Sequence, residues 1–76
     1  MSAAEPPVLD NRGLEPPQPF MRTLEVLDGW GPGPHRLTII NDREPLFLYP
    51  ELEERGLRWT VDARPEGVYI TIYTPD

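Results

Sequence analysis

The sequence predicts an α/β two-layer sandwich (α+β), with a four-stranded mixed sheet and two helices on one face in the order β-α-β-α-β-β. Three observations lead to this. Apolar and polar residues alternate with a period of two over Arg36–Asn41, Leu57–Arg64 and Val68–Tyr73. Apolar residues recur at helical spacing over two other stretches, around Phe20–Leu27 and Leu48–Leu52. The chain has only 76 residues, too few for a second layer of helices, so one face of the sheet stays open.

The elements follow in order. Residues 1–7 read as a disordered lead-in, so a single folded domain is expected over 8–74. Val8-Leu9-Asp10 is a short strand, and Asn11-Arg12-Gly13 is a turn of residues that tolerate positive φ. Prolines 16, 17 and 19 introduce a helix, where the first turn has no N–H partners to lose. Phe20, Leu24 and Leu27, with Met21 beside them, give that helix an apolar face, and Gly29 ends it. Leu37 and Ile39 fall on one face of the next strand, Thr38 and Ile40 on the other. A charged turn, Asp42-Arg43-Glu44-Pro45, leads to a helical segment over about Leu46–Arg55. Pro50 is expected to start its regular part, with residues 46–49 as an irregular lead-in, the alternative being a helix kinked at that proline. Glu51 and Arg55 stand at i, i+4. Leu57, Trp59, Val61 and Ala63 mark a half-buried strand, and Pro65-Glu66-Gly67 turns it back into Val68–Tyr73.

Composition excludes several kinds of chemistry. The chain contains no cysteine, which removes thiol nucleophiles, disulfides, thiolate zinc and iron–sulfur ligation. Ser2 is the only serine and His35 the only histidine, so neither a Ser–His pair nor a multi-histidine metal site is expected. No catalytic residue, metal or cofactor is assigned. The net charge of −6, with arginines interspersed among acids, disfavours nucleic acid and anionic membranes and favours a basic protein partner. No long apolar run or signal-peptide pattern stands out, and a cytoplasmic protein is expected.

Two places are candidates for function. Glu15, Pro16 and Pro17 open a proline-rich helix lead-in that lacks N–H donors and so disfavours anions. Asp10, Arg12, Asp42, Arg43 and Glu44 lie on loops after strands, which in such sheets tend to share one edge. On the open face, Ile40, Tyr69 and Tyr73 offer a half-apolar surface suited to an interface.

The strings Leu9-Asp10-x-Arg12-Gly13-Leu14-Glu15-Pro16-Pro17-x-Pro19, Asp42-Arg43-Glu44-Pro45, Leu48-Tyr49-Pro50 and Leu52-Glu53-Glu54-Arg55-Gly56 carry a resemblance. Over about Val8 to Tyr73 the chain resembles a bacterial and archaeal family of small domains of unknown function, distantly related to the TusA/SirA-like sulfur carriers. The resemblance implies the same β-α-β-α-β-β sandwich. It places Pro16 where the carriers have the cysteine of a Cys-Pro-x-Pro motif, so this chain cannot hold a persulfide. Arg43-Glu44-Pro45 stands where some relatives have His-Asp-Pro, which removes a metal or haem role built on that histidine. The association of relatives with redox, hemerythrin-like or nitrogen-oxide proteins implies an accessory role.

Three functional readings result. The leading one is a non-catalytic binding or adaptor module for a protein partner, using the proline-rich lead-in and the loops around Arg12 and Arg43. The second is a small-molecule or redox-accessory carrier, or a small enzyme, with a carboxylate–arginine site such as Glu15 with Arg12. The third is a homodimer paired through Tyr69 and Tyr73.

Overall fold

In the computed structural model, which describes residues 7–75, the elements are β1 (Val8–Asp10), α1 (Gln18–Asp28), β2 (Arg36–Asn41), α2 (Leu48–Glu54), β3 (Arg58–Arg64) and β4 (Gly67–Tyr73). They form one four-stranded sheet in the order β1-β2-β4-β3. β1 runs parallel to β2, and β4 is antiparallel to both β2 and β3. β4 is thus inserted between β2 and β3, the two strands that α2 connects. The expected lead-in falls outside the described residues except for Pro7, whose carbonyl accepts the Thr38 N–H at 3.1 Å.

Alternation in the strands decides which residues form the core. Leu37, Ile39, Ile70 and Ile72 point to the helix-covered face and are buried, with Leu27 of α1 and Leu48 and Leu52 of α2 packed among them. On α1, Phe20 and Leu24 are half-buried against this cluster, but Met21 is exposed rather than part of the apolar face. Thr23 is buried in its stead, its hydroxyl donating to the Pro19 carbonyl at 2.8 Å. A side chain one residue from Phe20 is turned about 100° around the helix, which carries Met21 to solvent.

α2 starts at Leu48, two residues before the expected Pro50. The proline lies in the first turn, where its missing N–H would have had no partner, so it neither delays nor kinks the helix. The helix ends at Gly56, whose φ of 72° is open to a residue without Cβ; the Leu57 N–H returns to the Leu52 carbonyl at 2.9 Å. The Glu51–Arg55 pair forms at 3.9 Å, and Arg55 makes a closer bridge to Asp28 at 2.8 Å, joining the ends of the two helices.

β3 departs from the half-buried pattern expected of it. Trp59 is half-buried, stacked on Tyr49 at 5.2 Å, but Val61 and Ala63 are exposed. β3 is the sheet edge, and α2 covers only its beginning.

Candidate functional site

The loops that follow β1 and β2 meet at one end of the sheet. The Gly13 N–H donates to Asp42 Oδ2 at 2.7 Å, and Asn11 Nδ2 donates to Asn41 Oδ1 at 3.1 Å and to the Thr23 hydroxyl at 3.4 Å. The Asn11 N–H also donates to the Ile40 carbonyl, continuing the parallel pairing beyond β1. Asn11 is 1% exposed, and its Oδ1 has no partner. Adjoining these loops, between the lead-ins to the two helices, lies an open cleft of about 710 Å³.

The cleft is largely apolar. Leu14, Pro16, Pro17, Pro19 and Phe20 line it from the α1 side, and Pro45, Leu46, Phe47 and Leu48 from the α2 side. Phe47 is 89% exposed, unusual for a large apolar side chain. Asn11 and Asn41 line it where the loops meet, and Glu15, Asp42, Arg43 and Glu44 complete the lining with three carboxylates and one guanidinium. Glu44 accepts the Tyr49 hydroxyl at 2.9 Å; burial, followed by this carboxylate, pushes the Tyr49 phenol above its ordinary value. The Pro16–Pro17 peptide bond is cis.

The sequence-derived residues therefore divide into two groups. Glu15, Pro16, Pro17, Asp42, Arg43 and Glu44 come together in the cleft. Arg12 does not. It turns to the open face of the sheet, where its guanidinium pairs with Asp10 at 2.8 Å and reaches the Glu66 carbonyl at 3.4 Å. Hydrogen bonds from the Arg12 side chain and backbone hold the Asp10 carboxyl at about 2. The imagined Glu15–Arg12 pair is not formed, because the chain turns between them and commits Arg12 to Asp10. The two loops are joined by the Gly13–Asp42 bond rather than by a network of ion pairs.

The open face is also less apolar than its sequence suggests. Ile40 is only 7% exposed. The Arg64 guanidinium lies over the Tyr69 ring, 4.0 Å from its centroid, and that of Arg36 lies 5.5 Å from the Tyr73 centroid. His35 stacks on Trp30 at 5.0 Å, with Nε2 2.9 Å from the Gly31 carbonyl oxygen. Among the described residues no three His, Asp or Glu side chains gather as a metal site, and no helix is long and apolar enough to cross a membrane.

Leu14, Phe20, Leu46 and Phe47 were not assigned to the site by sequence. Leu46 and Phe47 left a signal nonetheless: they are large apolar residues beside a proline, just ahead of the Leu48–Leu52 periodicity.

A family model described as "Uncharacterized conserved protein (DUF2249)" matches residues 8–74. The chain belongs to this family. The match spans every strand and helix of the fold and the whole cleft. Among solved structures, a SirA-like protein from Desulfitobacterium hafniense superposes with a TM-score of 0.80 at 22% identity, covering 92% of this chain and 99% of that one. At that identity the likeness concerns the fold, which is SirA-like in this DUF2249 chain too. No curated protein matches the sequence. With no cysteine anywhere, this DUF2249 chain has the fold without a carrier thiol.

Proposed function

We propose that the chain is a non-catalytic binding module whose cleft, between the lead-ins of α1 and α2, takes a basic segment of a protein partner. The observation behind this reading is the pairing of a proline-walled apolar cleft, with Phe47 exposed beside it, and a lining of three carboxylates against one arginine. Proline walls enter a complex already rigid, so they lose little conformational entropy on binding. An exposed aromatic ring supplies the large apolar contact that dominates interface energies. The carboxylates of Glu15, Asp42 and Glu44 would select a partner with lysine or arginine around its apolar anchor. Nothing in the cleft lining is a thiol, a serine or an imidazole.

The experiment is selection of displayed random twelve-residue peptides on the wild type and on the Phe47→Asp variant. Phe47 is exposed, so its replacement should leave the fold intact, within about 0.5 kcal/mol. Peptides rich in lysine or arginine around an apolar residue, enriched by the wild type and lost by the variant, are expected. Peptides retained equally by both proteins, or no enrichment at all, would overturn the reading.

A further inference from the structure

Among the described residues, nothing pairs with the β3 edge of the sheet along its full length. Natural edge strands are shortened, bulged or interrupted by proline, because unpaired N–H and C=O groups invite another strand. β1, at the other edge, has three residues. β3 has seven, all in unbroken register with β4, without a bulge or an internal proline. The turn at Pro65–Glu66 closes the hairpin at the Arg64–Gly67 pair, and the closing pair of a two-residue hairpin exchanges hydrogen bonds. Arg58, Thr60, Asp62 and Arg64 therefore bond to β4. The backbone groups of Trp59, Val61 and Ala63 face away from the sheet.

We propose that β3 pairs antiparallel with β3 of a second copy about a two-fold axis at Thr60, so that two four-stranded sheets become one continuous sheet. The axis stands perpendicular to the sheet, so each residue meets one of the same parity and the two open faces lie on the same side. In this register Thr60 faces the partner's Thr60, Arg58 faces the partner's Asp62, and Trp59 faces the partner's Val61. The Trp59–Val61 pairs are the hydrogen-bonded ones, using the backbone groups that face outward. The Arg58–Asp62 pairs are non-hydrogen-bonded ones, where opposed Cα atoms approach to about 4.5 Å.

Three features favour a second copy over an unrelated strand. Arg58 has no ion-pair partner among the described residues, and the Arg64 bond to Asp62 uses only Oδ2. Val61 is 42% exposed on the helix side, where the partner's half-buried Trp59 would cover it. Neighbouring registers are worse. A slip of two residues one way sets Arg58 against the partner's Arg64. A slip the other way sets Val61 against the partner's Leu57, whose N–H is already bonded to the Leu52 carbonyl of its own chain.

Sedimentation equilibrium of the full chain tests this with Arg58→Asp, Asp62→Arg, the double exchange and Val61→Pro. The wild type should dimerise, and each single charge reversal should weaken the dimer about ten-fold or more, since two like-charge pairs replace two attractive ones. The double exchange should restore it. Val61→Pro should remove it while leaving the circular dichroism spectrum unchanged, because the lost N–H faces outward. The proposal is overturned by a wild type that stays monomeric at about 1 mM, or by a dimer indifferent to the charge reversals and their exchange. Phe47→Asp should leave the dimer intact, so failure here is distinct from failure of the cleft.

Discussion

Asn11 shows how much one side chain can organise. It lies where β1 has ended, yet it is buried, and its amide nitrogen links the β2 end at Asn41 to α1 at Thr23. Its neighbours Asp10 and Arg12 alternate to the opposite face and find each other there. That exposed pair has a pH signature. Hydrogen bonds from Arg12 depress the folded-state Asp10 value to about 2 from an ordinary 3.8. The group's contribution to stability is therefore present above the unfolded value and lost as pH falls through the folded one. Urea midpoints of the wild type and Asp10→Asn should differ at neutral pH and converge between about pH 4 and pH 2. A gap that stays constant over that range would mean the pair does not couple to folding. The size should be small, because solvent screens both groups.

α2 is short and carries a proline, two features that weaken a helix in isolation. It holds because Leu48 and Leu52, one turn apart, are both buried in the core. The same helix offers a contrast between position and packing. Pro50→Ala restores an N–H where none is needed and should change stability by no more than about 0.5 kcal/mol. Leu52→Ala, at a site with no exposure, should lose about 2–5 kcal/mol by urea denaturation. A large loss from Pro50→Ala would show that the first turn depends on the ring itself. Gly67, at the start of β4, is fixed by space: an added Cβ would lie 3.2 Å from the Asn41 carbonyl oxygen and 3.1 Å from Ile40 Cγ2.

The whole molecule shares one apolar cluster, to which α1, α2, β2 and β4 all contribute. No element can leave without exposing residues of the others, so unfolding should be a single transition. Tryptophan fluorescence, reporting Trp30 after α1 and Trp59 on the edge strand, should trace the same urea curve as far-UV circular dichroism. Separated curves would mean that β3 opens on its own. Charge is distributed at this scale as well. Arg12, Arg36, Arg58 and Arg64 gather at the open face with Asp10, Asp62 and Glu66, leaving most of the other acids among the described residues elsewhere, three of them in the cleft. Long-range attraction should therefore bring a basic partner toward the cleft side.

Local chemistry determined the strand–helix order, the strand faces and the absence of thiol chemistry, because period, proline position and residue type act within a few neighbours. That the loops after β1 and β2 open at the same end of the sheet was legible too, but the sequence grouped Asp42, Arg43 and Glu44 with Asp10 and Arg12 and held Glu15, Pro16 and Pro17 apart from them. Only the tertiary structure decided the rest. It sent Arg12 to the open face, placed the arginines over Tyr69 and Tyr73, brought Phe47 beside the cleft and left Val61 uncovered at an edge. Alternation in a strand says which side a residue faces. Whether a helix, a guanidinium or water meets it there depends on which strands become neighbours, and segments distant in sequence settle that.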